Sequence, residues 1–196
     1  VTGSKYLIEL PQTRILVDCG LFQGIKRLRE LNWSQLPVEA SDIEVVLLTH
    51  GHLDHTGYLP RLFNMGFKGE VWGTPPTLDI AEIILRDSAK LQEEDAKRAN
   101  EEGFSKNKPA KPLYRTTDVE ETLTHFEPKV AGRWHEISDQ TEVRFRPNGH
   151  ILGSSFIELL VNGKQLVFSG DVGRPHDLLL KAPERPDHAD ILLLEC

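Results

Sequence analysis

The stretch LLTHGHLDHTGYLP, Leu47 to Pro60, sets His50, His52, Asp54 and His55 within six consecutive positions, directly after the strand-like run IEVVLL. A loop leaving a buried strand can turn alternate side chains into one space, so His50 and His52 can converge on a single ion. Asp54 and His55 then point elsewhere and suit a second ion. Imidazole and carboxylate together, without thiolate, form the donor set of a catalytic zinc or a similar first-row metal.

Two later stretches extend this set. RPNGHILGSS puts His150 in a glycine-bounded turn between strands, and LVFSGDVGR puts Asp171 at the end of an apolar run. Taken singly, His150 reads equally as a turn residue and Asp171 as a turn or helix cap. Joined to the first cluster, both read as further ligands.

Around these motifs, short β-type runs dominate: KYLIEL, RILVD, EVVLLT, EVWG, EVRFRP, SFIELLV, KQLVFSG and DILLLE. FIELLVNGKQLVF is the clearest hairpin, because Asn162-Gly163 is the favoured type I′ pair between apolar runs. Ile80, Ile83, Ile84 and Leu91 recur at helical spacing after GTPPT, where Pro75 and Pro76 suit a helix start, and the pattern runs to about Gly103. DVEETLTHF and YLPRLFNMG read as shorter helices and GFSKNKPAKP as an exposed loop. Strands interleaved with helices predict a layered α/β arrangement.

At 196 residues, 39% hydrophobic and 27% charged, the chain suits one compact domain. Its net charge of −7 excludes a general electrostatic grip on nucleic acid, so any polyanion must be held locally. The local candidates are KRLR (Lys26 to Arg29), KNKPAK (Lys106 to Lys111) and Arg144 with Arg146, each read first as a solvated face. No apolar run approaches the roughly 20 residues of a membrane span. The chain opens on Val1 rather than Met, so an N-terminal piece is expected to be missing and the lack of a leader carries no weight. Cys19 and Cys196 form no CxxC pair, which fits a reducing, cytoplasmic compartment. Cys19 reads as a small buried residue, and His125, His135, His176 and His188 as structural or exposed.

THGHLDHTG, GHILGS and SGDVG resemble, in order, the metal-binding motifs of the metallo-β-lactamase superfamily, whose fold is an αββα sandwich. The likeness covers essentially the whole chain. It implies that His50, His52 and His150 hold one zinc ion, that Asp54 and His55 hold a second, and that Asp171 bridges them. Asp18, ending RILVD, matches the early aspartate of the family and is expected to orient the ligand loop through a histidine nitrogen.

VTGS, GHLDHTGYLPRL, GHILGSS and ADILLLEC resemble the β-CASP branch of nucleic-acid-cutting enzymes, in particular prokaryotic relatives of the nuclease subunit of the cleavage and polyadenylation specificity factor. DSAKLQEEDAKRAN followed by KPLY is similar to the same proteins. Glu195 matches the acidic strand end of that branch, with Cys196 in place of the usual serine. The resemblance implies that residues 1–196 are the N-terminal part of the domain, lacking the inserted β-CASP domain and a last ligand histidine. It further implies a zinc-dependent ribonuclease in which water between two ions attacks the phosphodiester, Asp54 takes up its proton, and Arg174 is available to substrate phosphate. Single-stranded RNA is the implied partner, with a homodimer admitted for the full-length protein and no membrane. Two rivals stand beside this reading: a thioesterase or lactonase of the same superfamily, whose usual GHTPG is GHILG here, and a non-catalytic RNA-processing scaffold.

Overall fold

The computed structural model describes residues 2–11 and 13–195; Val1, Gln12 and Cys196, the residue expected in place of a serine, lie outside the described residues. Ten strands form two five-stranded sheets. The first runs in the order β1-β2-β3-β4-β5, from Tyr6–Glu9, Arg14–Val17, Val45–Leu47, Glu70–Gly73 and Phe126–Pro128. β1 and β2 are antiparallel, and the remaining pairs are parallel. The second sheet runs β10-β9-β8-β7-β6, from Ile191–Leu193, Lys164–Phe168, Ser155–Val161, Thr141–Pro147 and Trp134–Ser138. Only its β10–β9 pair is parallel.

Side chains alternate across a strand, and the apolar runs of β2 and β3 are continuous because both their faces are covered. Ile15, Val17, Val45, Leu47 and Trp72 meet Val143, Phe145, Ile157, Leu159 and Phe168 of the second sheet. Leu16, Val46 and Val71 turn the other way, onto helices α3 (Leu59–Asn64), α4 (Pro75–Glu101) and α5 (Thr116–Leu123) through Leu62, Leu85 and Val119. Two shorter helices, α1 (Lys26–Glu30) and α2 (Leu53–Thr56), lie in the connections. The result is the expected layered sandwich. On the outward side of the second sheet, the fully buried Glu158 carboxylate accepts from Arg144 at 2.6 Å and from Gln165 at 3.0 Å.

The Asn162-Gly163 hairpin forms as read, with φ of 49° and 76° and Val161 opposite Lys164. Three local expectations differ. Ile83 and Leu91 are exposed, and the buried stripe of α4 is Leu78, Ala81, Leu85, Ser88 and Ala89. Helical spacing alone does not say which of two apolar stripes meets the sheet, and the smaller side chains allow closer approach. DVEETLTHF is helical only to Leu123, after which Phe126 enters β5, and neither β5 nor β6 stood out in the sequence. Both are short edge strands without a fully buried residue, so neither shows a core-facing alternation.

Candidate metal centre

The anchor of the site is Asp18, fully buried where β2 ends, with a left-handed φ of 57°. That conformation costs a non-glycine residue about 1–3 kcal/mol, which three hydrogen bonds to its carboxylate offset. Asp18 accepts from the Thr49 amide at 2.8 Å, the Thr49 hydroxyl at 2.8 Å and Nδ1 of His55 at 2.8 Å. The following residues lace onto the ligand loop: Cys19 N donates to His55 O at 2.7 Å, and Leu21 N to Leu53 O at 3.1 Å. Gly20 is required between them, because a Cβ there would lie 1.5 Å from the Asp54 carbonyl oxygen. Asp18 is thus hydrogen-bonded to a histidine and to the residue before another on the loop.

His50 follows Thr49 at the end of β3, and its Nε2 lies 3.1 Å from His52 Nδ1. From the other sheet, the β7–β8 turn brings His150 Nε2 to 3.2 Å from the same His52 atom. The Ser154 hydroxyl braces that turn by accepting from the His150 and Ile151 amides, each at 3.0 Å. Thr74 and Thr77 at the start of α4 reach the Gly153 carbonyl at 2.7 and 2.9 Å. Asp171, just past β9, completes the group: its Oδ2 lies 3.3 Å from His150 Nε2 and 3.8 Å from His50 Nε2.

These four residues have the chemistry and spacing of a metal site. The Thr49 hydroxyl spends its proton on Asp18, so at 3.0 Å it accepts from His50 Nδ1, leaving a lone pair on His50 Nε2 facing inward. Burial first, then the imidazoles of His55, His52 and His150, push the His50 pKa far down, so it stays neutral as a ligand must be. Burial also lowers His150, against the pull of Asp171. Zinc bonds of about 2.0–2.2 Å place neighbouring ligand atoms roughly 3.3–3.6 Å apart in a tetrahedron. Four of the six edges, at 3.1 to 3.8 Å, lie around that spacing, and all six fall within 4.8 Å. In the tautomers that leave all four atoms bare, an ion among them would remove the repulsion between their lone pairs.

A second group surrounds His55. With Nδ1–H given to Asp18, its Nε2 presents a lone pair 3.6 Å from Asp171 Oδ1 and 3.7 Å from Glu195 Oε2. His55 Nε2 and Glu195 Oε2 are both buried without a hydrogen-bond partner among the described residues. Burial opposes protonation of His55, but the bond to Asp18 and the charges of Asp18, Glu195 and Asp54 prevail and raise its pKa. Glu195 is fixed by Ser4, whose hydroxyl donates to Oε1 at 2.7 Å, and by its own amide, which donates to Ser169 Oγ at 2.9 Å.

Of the residues read from the sequence, His50, His52, His150 and Asp171 come together as one group, and His55 joins Asp18 and Glu195 in another. Asp54 belongs to neither; its partly exposed side chain has no hydrogen bond among the described residues, though its charge reaches His55 and His150. Arg174 is exposed and makes no ion pair with the cluster among the described residues. Thr49 and Ser4 were not singled out, although a hydroxyl directly before the first ligand histidine is a signal available in THGH. Burial pushes the Cys19 thiol up to about 12, so it is no nucleophile. His125 and His135 hydrogen-bond the carbonyls of Gly69 and Val130 and serve structure, as read.

The model of the metallo-beta-lactamase superfamily matches residues 2–194. Ribonuclease TTHA0252 of Thermus thermophilus is 36% identical over 195 residues, which cover the whole of this chain and 41% of that protein. Cleavage and polyadenylation specificity factor 73 of Drosophila melanogaster is 29% identical over 199 residues, covering 100% of this chain and 27% of that protein. The chain thus spans well under half the length of these relatives. Among solved structures, Zn(2+)-bound PqqB from Methylobacterium extorquens superposes with a TM-score of 0.53 at 13% identity, over 87% of this chain and 53% of that one. That likeness bears on the fold alone.

Proposed function

The chain belongs to the metallo-beta-lactamase superfamily, and on that premise we propose that it carries the metal centre of a zinc-dependent ribonuclease acting on single-stranded RNA. The observation that carries this reading is the convergence of four inward-facing ligand atoms, on His50, His52, His150 and Asp171, within 4.8 Å of one another. His50, His52 and His150 would hold the first ion. His55 and Asp171 would hold the second, with Asp54 and the unpaired Glu195 oxygen beside it. The names of the relatives support RNA as the substrate class.

When bound, such ions acidify water and neutralise the charge of a phosphodiester. The remaining work falls to side chains. Hydrolysis consumes one water: its oxygen bonds to phosphorus, its proton passes to the free Asp54 carboxylate, and the bond to the leaving ribose oxygen breaks, with solvent reprotonating that oxygen. Asp18 holds the tautomers of His55 and, through Thr49, of His50. Glu195 adds negative charge where the second ion would sit.

The test compares zinc-loaded protein on a single-stranded RNA oligonucleotide, a glutathione thioester, a lactone and a β-lactam. RNA cleavage that is lost in EDTA and restored by zinc supports the proposal. Turnover of the thioester or lactone with intact RNA would replace it by a small-molecule hydrolase, and no turnover with full zinc loading would favour a scaffold.

A further inference from the structure

KRLR and KNKPAK, about 80 residues apart in the chain, meet at one place. Arg29 from the first and Lys111 from the second line the same cleft of about 690 Å³, between the loop after β2 and the C-terminal half of α4. Phe22, Trp33 and Phe104 line it as well, and Trp33 and Phe104 are 54% and 64% exposed. Three cations, Arg29, Arg98 and Lys111, stand against one carboxylate, Asp95, in a chain of net charge −7. Arg98 is paired with Glu102 at 2.9 Å, and Arg29 and Lys111 have no acidic partner among the described residues.

Both rims are held in place by asparagines. The Asn32 side chain donates to Phe22 O and accepts from Phe22 N, each at 2.9 Å. Asn100 does the same for Ala110, at 3.0 and 2.7 Å. Exposed aromatics and unpaired cations on clamped loops form a preorganised surface rather than a soft one. The cleft borders the ligand loop, because its wall includes Leu53, the residue between His52 and Asp54.

We propose that this cleft binds unpaired nucleotides of single-stranded RNA flanking the scissile phosphate, with bases stacked on Trp33 and Phe104 and backbone phosphates on Arg29 and Lys111. Aromatic faces stack on any free base, whereas the bases of a duplex are already stacked on one another. The proposal rests on the ribonuclease reading for its substrate and adds where the strand lies.

The test uses metal-free protein in EDTA and a labelled ten-nucleotide single-stranded RNA, read by anisotropy and tryptophan emission. Trp33 is more exposed than Trp72 or Trp134, so stacking should quench the emission, and the quench should vanish in Trp33→Phe. A Trp33→Ala, Phe104→Ala double variant should bind at least tenfold more weakly. Arg29→Ala with Lys111→Ala should flatten the plot of log affinity against log salt by about 1.4, which is about 0.7 for each phosphate left without its cation. Unchanged affinity in both pairs of variants, or equal affinity for a duplex of the same sequence, would overturn the proposal. Zinc-loaded cleavage separates the two readings. A chain that cuts RNA while the cleft variants bind like the parent loses the cleft and keeps the ribonuclease. A chain that shows the Trp33 quench but never cuts keeps the cleft and loses the reaction.

Discussion

Nε2 of His55 faces Oε2 of Glu195 across 3.7 Å, and neither atom has a hydrogen-bond partner among the described residues. Both are lone-pair sites, because Asp18 takes the only ring proton of a neutral His55 and a carboxylate has none to give. With no ion there, the raised pKa of His55 favours a second ring proton on Nε2, facing this carboxylate, and a metal ion would take the place of that proton. Glu195→Gln keeps the shape and removes the charge. Its metal affinity at the second site should fall by about 10–100-fold, the usual effect of losing an anionic group next to a metal site. Chelator competition measures it, and an unchanged constant would leave Glu195 with only its bond to Ser4.

His50 and His52 belong to the other group, so a His50→Ala, His52→Ala double variant should lose one equivalent of zinc and keep its sheets. Elemental analysis against circular dichroism reads both. Undiminished metal would mean that the ion sits elsewhere.

Asp18→Asn replaces a carboxylate that accepts three hydrogen bonds by an amide with one acceptor oxygen and two donor hydrogens. Stability should fall by about 2–4 kcal/mol, the range for breaking a buried charged network. Urea unfolding tests this; a loss below about 1 kcal/mol would show that the loop holds without it.

Gly20→Ala would force a Cβ into the Asp54 carbonyl, and the backbone there cannot yield without moving the ligand loop. Reduced zinc affinity together with a destabilisation of at least about 2 kcal/mol is expected. Normal values for both would contradict the packing of residues 18–21 on the loop.

Alkaline pH offers a test away from the metal. Burial raises the phenol of Tyr114 to about 12, with a hydrogen bond to Ser88 at 2.8 Å pulling the other way. The unfolded chain releases this proton near 10.0 and the folded one near 12, so the folded state binds more protons in that window and stability falls as pH rises through it. Below pH 10 the contribution is fully present. The loss is on the order of 2–3 kcal/mol, and Tyr114→Phe should flatten it; Cys19 acts in the same direction from about pH 9. Denaturation midpoints at pH 9, 10 and 11 for both proteins decide the matter, and parallel curves would refute it.

The core strands and the residues that gather in the first group were legible because their signals are local: short, mainly apolar runs, and histidines set by the loop after a strand. The Asn162-Gly163 turn was legible for the same reason. What failed depended on partners far away in sequence. Ile83 and Leu91 look like core until the tilt of α4 selects Leu78, Ala81 and Leu85. β5 and β6 become strands by pairing with β4 and β7 rather than by their own pattern. The pairing of His55 with Glu195 joins residues 140 positions apart and leaves no local trace.

The same distance governs the order of assembly. The histidines and carboxylates hang from the ends of β2, β3, β9 and β10 and from the β7–β8 turn, so they belong to both sheets. The bond from Ser4 to Glu195 closes almost the whole chain into a ring. Loop-closure entropy makes such contacts late events in folding. The ligand set therefore comes into being only after the sheets dock, and an ion captured there acts as a latch on the finished structure. Its release should precede every other sign of unfolding.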